Sequence, residues 1–339
     1  MTQVKYITID DSKKLLKNES LNLFQELFWW EVLEIGFNKQ CKVALIIDEN
    51  ENKALLPLFF HKFGPILRVG SPLRGTFTPY MGFIWLTNNI NDEQKIKYLK
   101  LVIDSLVKYG ANWIELSFSS NKKSLYENLL SLGFNFKSAK TIILNTEQEE
   151  EILWMGMQGR SRNLVRKAQK TGLQVKFLGS DLKNLDLFYS LLEETFNKSG
   201  RRPPHAKTFY KLLIQKLIIS NNLLFLSIIK EAKVVAMGVF LYNSEEIHFI
   251  SGTSNAIGNK FAANNLMHWE VIKFASNNNI KKYDFGGLGI SSIDKFKKSF
   301  GGIEGSYSNY IWMSPKIKFI FNFFTWLNSK FPFFNFFKI

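Results

Sequence analysis

The 339-residue sequence has a single cysteine, Cys41, which excludes an intrachain disulfide and gives no sign of an oxidising compartment. The same scarcity excludes a cysteine-rich zinc site, and Cys41 reads as a small core residue. The four histidines, His61, His205, His248 and His268, are scattered without metal-ligand spacing, so no metal is expected. His248 and His268 fall on a strand and a helix and read as structural residues rather than general bases. There is no GxxxxGK[ST] phosphate loop, no GxGxxG after a first strand and no GxSxG elbow, which argues against three familiar chemistries. No run of about 18 uncharged apolar residues occurs, so no segment reads as a spanning helix. The opening MTQVKYITIDDSKKLL carries acids and no apolar stretch, unlike a signal peptide, and a cytoplasmic location is expected.

Acidic side chains are also in short supply. The 44 Lys and Arg against 29 Asp and Glu leave a formal charge of +15. Residues 1–145 hold 18 basic and 14 acidic side chains, and the remainder holds 26 and 15, so the excess lies in the second part. Such a field attracts phosphate-rich partners: nucleic acid, nucleotide-linked substrates, coenzyme A or anionic lipid. Plain solubility with a lysine-rich bias accounts for it equally. What is plentiful is apolar surface: 46% of residues are apolar and 15% aromatic, enough for the packed cores of two domains.

Residues 20–37 read as an aromatic amphipathic helix, and CKVALIID–ENEN–KALLPLFF as a hairpin. A helix from Asp92 to Gly110, the strand ANWIELSF, a helix around KSLYENLLSLG and the strand FNFKSAKTIILN follow. The second half runs in the same order. LLFLSIIK and VVAMGVFLYN form a hairpin extended by EEIHFISGT, then come the helix FAANNLMHWEVIKFASNN, the strand KKYDF, a short helix and the strand GIEGSYSNYIWM. Shared order predicts two copies of one α/β unit, with the acidic linker TEQEEE between them. The expected domains are 1–148, 149–314 and an aromatic, basic tail, 315–339.

The stretch DFGGLGISSIDKFKKSFGG, residues 284–302, brackets the short helix with two glycine pairs. Gly286 and Gly287 let the backbone turn tightly or let a ligand approach it. Ser291 or Ser292 offers an N-cap, Asp294 suits the first turn, and Gly301 stands where helices end. On a helical wheel Ile293, Phe296 and Phe300 share the buried sector. Lys295 and Lys298 point away from it, whereas Lys297 lies about 40° from Ile293, at the edge of the buried face. Of the three lysines, Lys297 alone is aimed at the interior or a cleft.

In WMGMQGRSRNLVRKAQKTG the buried stripe is Leu164, Val165 and Ala168, with Arg160 and Lys167 at its flanks and Arg162, Arg166 and Lys170 toward solvent. Arg160 or Arg162 is a candidate phosphate clamp, or part of an ordinary solvated face. In the loop NKSGRRPPHAK, Arg201 and Arg202 are placed to receive a carboxylate or phosphate, or form an exposed basic turn.

Taken in order, RSRNLVRKAQKTGLQV, FYSLLEETFNKSGRRPP, LLFLSIIKEAKVVAMGVFLY, YDFGG and FKKSFGG resemble the FemABX aminoacyltransferases and their GNAT-type acyltransferase relatives, most strongly over residues 150–312. GSPLRGTFTPYMGF is similar to that family's Tyr-x-Gly segment at 80–82 and adds Tyr80 as a substrate-binding candidate. The resemblance implies two tandem GNAT-like domains, mixed sheets flanked by helices, and transfer of an acyl or aminoacyl group to an amine of a cell-envelope precursor such as one of peptidoglycan, or of a nucleotide- or lipid-linked sugar. No tightly bound cofactor is implied; acyl-CoA or aminoacyl-tRNA serves as co-substrate, which leaves tRNA open as a partner. Lys297 matches the lysine that handles substrate and developing charge, while Tyr283 and Asp284 end the strand leading to it and are candidates for proton removal. Asp284 equally suits capping of the glycine turn. The coenzyme A pyrophosphate loop of GNAT enzymes is replaced by GNKFAANN, where Asn259, Lys260 and Asn264 are cofactor-binding candidates.

The tail PKIKFIFNFFTWLNSKFPFFNFFKI has four lysines, no acid and many phenylalanines. It suits the headgroup region at the inner face of a membrane, or else docks over the aromatic core. The rival to an enzyme is a non-catalytic double-GNAT module that binds nucleic acid or anionic membrane; specific DNA binding is not expected.

Overall fold

The computed structural model describes residues 2–17, 19–119, 127–198 and 200–330, with backbone alone for 328–330. The chain begins with β1 (Gln3–Ile7), α1 (Ile9–Leu15), α2 (Leu27–Gly36), β2 (Gln40–Asp48), β3 (Glu51–Phe63), β4 (Ile66–Ser71) and the short β5 (Ile84–Trp85). It continues through α3 (Asp92–Lys108), β6 (Trp113–Ser119), α4 (Asn128–Ser131) and β7 (Asn135–Asn145). Next come α5 (Glu150–Gly156), α6 (Gly159–Lys170), β8 (Gln174–Phe177), α7 (Leu182–Asn197) and α8 (Lys207–Leu217). The strands β9 (Leu223–Lys230), β10 (Lys233–Tyr242) and β11 (Glu246–Ser254) precede α9 (Ala256–Lys260) and α10 (Ala263–Asn277). Last are β12 (Lys282–Gly287), α11 (Ser291–Lys298), β13 (Ile303–Met313) and α12 (Pro315–Lys330).

The described residues fall into two compact units. The first holds residues up to Glu34, Asn38–Ser138 and those from Tyr307 on; the second holds Ile35–Phe37 and Ala139–Ser306. In the first, β1, β2, β3 and β4 pair antiparallel in that order, β4 pairs parallel with β6, and β6 pairs antiparallel with Tyr307–Met313 of β13. The second repeats this pattern: β8, β9, β10 and β11 antiparallel, β11 parallel with β12, and β12 antiparallel with the end of β7. A parallel pair needs a crossover, and α3 and α10 supply it in the two units. The duplicated order read from the sequence is thus present strand by strand.

Each unit completes its sheet with a strand from the other half of the sequence. The sequence boundary was expected at residue 148, beyond β7. The compact units divide at Ser138 and Ala139, inside that strand, because Thr141–Asn145 register with β12. The expected boundary at 314 likewise lies beyond β13, whose Tyr307–Met313 portion registers with β6.

Several local expectations change. The 20–37 helix is a 3-10 turn, Leu23–Gln25, followed by α2, because Glu26 is extended and the Gln25 amide is drawn to the carbonyls of Met81 and Phe83 at 2.9 and 3.0 Å. The 261–278 helix is broken at Ala262, which is left-handed at φ +58. Ser291 does not cap α11. Ile290 holds the N-cap position, and Asp294 accepts instead from the amides of Gly289 and Ile290. Ile293, expected in the core, is exposed, while Phe300 is fully buried and Lys297 is 8% exposed. So short a helix is tilted by its anchors, and here Phe300 and Lys297 are those anchors. The helix expected over 123–133 is seen as α4; residues 120–126 lie outside the described residues.

The core of the second unit gathers Phe240, Ile247, Leu266, Trp269, Tyr283, Phe285 and Phe300 between the sheet and α10. Burial of each such side chain is worth about 1.5–3 kcal/mol. α11 is tied into this core at its end, where Gly301 has φ +90 and a Cβ placed there would lie 2.7 Å from the Gly156 carbonyl oxygen. Gly301→Ala is therefore expected to destabilise the protein by about 1–3 kcal/mol in urea unfolding. A change within about 0.5 kcal/mol would show that α11 is not fastened there.

Candidate active site

The parallel pairing of β11 and β12 puts His248 directly opposite Asp284. Strand alternation then sorts the side chains. Tyr283 and Phe285 enter the aromatic core, whereas Asp284 and His248 share the other face, where His248 Nδ1 stands 3.7 Å from Asp284 Oδ2. Asp284 is 3% exposed and His248 8%.

Beyond Asp284 the ladder with β7 slips: Asp284 faces Ile143, but Gly287 faces Thr141. One residue too many on β12 makes a bulge, and Gly286 occupies it with φ +78, a conformation that favours glycine. Asp284 holds the bulge in shape. Its Oδ1 accepts from the Gly286 amide at 2.7 Å and from the Thr141 hydroxyl. The capping role foreseen for Asp284 is the one its hydrogen bonds perform.

The bulge turns two carbonyls toward α11, and Lys297 Nζ donates to both, to Gly286 at 3.0 Å and Gly287 at 2.6 Å. Burial pulls the Lys297 pKa down, and the carboxylates of Asp284 and Asp294 partly restore it. A Cβ built on Gly286 would lie 3.8 Å from Lys297 Nζ and 4.0 Å from His248 Nε2, so both nitrogens flank the bulge. Burial also lowers the His248 pKa, against the pull of Asp284 and Glu246, and leaves the ring neutral. Neutral imidazole, ammonium and carboxylate side by side can hold an anion, polarise a carbonyl and accept a proton.

Tyr283 lies on the core side. It is fully buried, its hydroxyl shares a 2.6 Å hydrogen bond with His268 Nδ1, and its pKa is raised well above the ordinary phenol value by burial. The N-terminus of α6 is fastened beside α11: Ser161 Oγ donates to Ser299 Oγ at 2.6 Å, and the Gln158 amide to the Ser299 carbonyl at 2.9 Å. Arg160, on that first turn, is exposed. Arg162 was expected toward solvent; it is half-buried, and its Nη1 donates to the carbonyls of Met155 and Met157, closing the end of α5. Arg201 and Arg202 are exposed on the α7–α8 loop, and Arg202 lines a cavity of about 370 Å³ with Tyr189, Glu193 and His205.

Asn259 accepts from Ser254 Oγ at 2.5 Å, and Asn264 donates to the same hydroxyl at 3.2 Å. Asn264 Oδ1 is buried with no partner. The Lys260 ammonium lies over the Phe261 ring, and its carbonyl accepts from Lys167. Gly258 is packed onto β10, since a Cβ there would lie 2.3 Å from the Val235 carbonyl oxygen. Tyr80 belongs to the first unit, edge-on to Phe24; the next residues, Met81 and Gly82, border a cavity of about 300 Å³ lined also by Asn22 and Gln25.

The structure therefore brings Lys297, Asp284, Gly286 and Gly287 together, and adds Thr141, which sequence reasoning passed over, and His248, which it read as structural. Their signal was faint: His248 sits on an alternating strand, and only the β11–β12 register reveals its partner.

Comparison with known proteins relates the chain to two families. Residues 45–217 match the FemAB family, and residues 157–298 match an acetyltransferase (GNAT) domain. No curated protein matches the sequence. Among solved structures the chain is similar to FemX, with 15% identity and a TM-score of 0.70 over 90% of this chain and 96% of that one. It is similar to L-PGS from Bacillus licheniformis at 11% identity and a TM-score of 0.56, over 89% of this chain and 90% of the other. A tandem GNAT protein from the clavulanic acid biosynthesis pathway aligns at 6% identity and a TM-score of 0.56, over 92% and 98% of the two chains. At such identities the likeness is one of fold, and the fold is a pair of tandem GNAT-like units.

His268 gives the core a pH dependence. Burial lowers its pKa from 6.5 to about 3, so the folded protein keeps it neutral while the unfolded chain takes up a proton below pH 6.5. Stability is full above that pH and falls as the medium becomes more acidic. From pH 7 to pH 5 the expected loss from this group is about 2 kcal/mol. His268→Gln should flatten that slope in chemical unfolding; an unchanged slope would assign it to other groups.

Proposed function

The chain belongs to the FemAB family, with a GNAT-type acyltransferase fold, and we propose that it moves an activated acyl group from acyl-CoA or aminoacyl-tRNA to an amine of a cell-envelope precursor or a nucleotide- or lipid-linked sugar. The observation that carries this reading is the buried ammonium of Lys297, held on the glycine carbonyls at the end of β12. An ammonium has three donors, two of which are used here, and the third serves the developing oxyanion or a substrate phosphate. The acceptor amine attacks the donor carbonyl, a C–N bond forms, and the thioester C–S or ester C–O bond breaks. The proton lost by the amine passes toward the Asp284–His248 pair, where burial leaves the imidazole unprotonated and Asp284 favours the charge it takes up. Tyr283 supports the strand from the core side. Arg160, Arg201 and Arg202 take anionic parts of the substrates, with Arg162 ordering the backbone beside Arg160. Tyr80 serves as a substrate contact of the first unit, and Asn259, Lys260 and Asn264 contribute to the donor side in the second. An acceptor carried on lipid would place the protein at the inner face of the membrane.

Lys297→Met tests the reading. Turnover of acyl-CoA or aminoacyl-tRNA donors with purified acceptor is expected to fall by about 100-fold or more while the thermal unfolding midpoint moves by only a few degrees. Retained turnover would remove Lys297 from the reaction. The formal charge of +15 favours a second reading, a non-catalytic module. Absence of turnover with either donor, together with equal and steeply salt-dependent binding of tRNA and duplex DNA, would support that one instead.

A further inference from the structure

α12 carries apolar side chains on two faces, one turned to the protein and one exposed. Ile317 is buried, Phe321 meets Trp113 edge-on at 5.6 Å, and Phe324 is half-buried, so these three turn toward the first unit. Phe319, Ile320, Phe323 and Trp326 are exposed, at 74%, 43%, 48% and 53%. At 100° per residue these four span an arc of about 120°, as wide as the core-facing stripe of an ordinary amphipathic helix. Phe323 and Trp326 stack on each other at 6.2 Å and make one continuous aromatic surface.

The charge beside that stripe has one sign. Lys316 falls inside that arc at the first turn of the helix and Lys318 about 80° beyond its edge; both are exposed, and no acidic residue occurs after Glu304. Residues 331–339, outside the described residues, read FPFFNFFKI, with five phenylalanines, one lysine and no acid. A protein partner matched to this face would need an apolar groove rimmed with carboxylates, whereas an anionic bilayer offers apolar depth and negative headgroups everywhere on its surface. No helix among the described residues is long and apolar enough to cross a membrane, and α12, about 24 Å long, is shorter than the hydrocarbon layer of about 30 Å.

We propose that α12 lies in the headgroup plane of an anionic bilayer, its Phe319–Phe323–Trp326 stripe inserted among the lipids and Lys316 and Lys318 on their phosphates. This docking does not depend on the role given to Lys297. Phenylalanine and tryptophan supply the depth, and the lysines supply the preference for negative lipid.

The test uses the full chain with vesicles of equal parts phosphatidylglycerol and phosphatidylcholine, and with phosphatidylcholine alone. The protein is expected to sediment with the anionic vesicles at least about tenfold more tightly than with the neutral ones. Phe319→Ser/Phe323→Ser/Trp326→Ser should lose at least about tenfold in affinity with an unchanged thermal midpoint, since those side chains face solvent. Lys316→Glu/Lys318→Glu should lose affinity for anionic vesicles only. Phe321→Ser, on the covered side, should lower the thermal midpoint and leave vesicle binding of the folded protein intact. Brominated lipid should quench tryptophan emission in the native chain more than in Trp326→Phe, which reads insertion without altering the fold. Undiminished binding by the triple variant, or equal quenching in the two chains, would overturn the proposal. So would a concentration-dependent dimer that the triple variant abolishes in the absence of vesicle binding, because a second copy would then be what covers the face.

Discussion

Much of the second unit turns on how a lysine ammonium is held away from water. Stripping a cation of its hydration costs several kcal/mol, so Lys297 must find acceptors that do not move. They are the carbonyls of Gly286 and Gly287, which face it because β12 bulges there. The bulge in turn needs a residue at ease with φ +78 and a carboxylate to take the freed amide, and Gly286 and Asp284 meet those needs. Asp284, the bulge and Lys297 thus satisfy one another's buried polar groups.

The lock reaches further through its neighbours. Asp284 also accepts from Thr141 on β7, a strand contributed by the earlier half of the sequence. On the opposite face of β12, Tyr283 and Phe285 enter a cluster of rings around His268, with Phe285 and Phe300 stacked at 5.4 Å. Phe300 lies two residues past the end of the short helix that carries Lys297. The position of the ammonium is thus set twice, by carbonyls ahead of it and by an aromatic anchor behind it. Sites whose polar groups are fixed before substrate arrives need less reorganisation during reaction, which suits transfer chemistry that relies on charge stabilisation.

Exchange of the last strands gives the duplication its physical form. Were each half self-contained, β7 would close the first sheet and β13 the second. Instead Thr141–Asn145 pair with β12 and Tyr307–Met313 with β6, so neither half has all its strands until the other has been made. Surface chemistry is equally uneven. The excess of lysine and arginine lies in the later part of the chain, and α12 turns one apolar face to the protein and exposes the side chains of the other.

Local pattern in the sequence determined a good deal: the duplicated order of hairpin, crossover helix, strand and short helix, and Lys297 as the inward lysine of three. These follow from period, composition and glycine placement, which act over a few residues. Exposure of Ile293, closure of α5 by Arg162, the pairing of His248 with Asp284, the support from Thr141 and the division of the units inside β7 were not legible there. The pairings of Asp284 with His248 and Thr141, and the division inside β7, depend on which strands lie side by side and in what register, the Thr141 contact across 143 positions. The Arg162 and Ile293 outcomes depend on how short helices pack against their neighbours, and the periodicity of the segment itself carries neither kind of information.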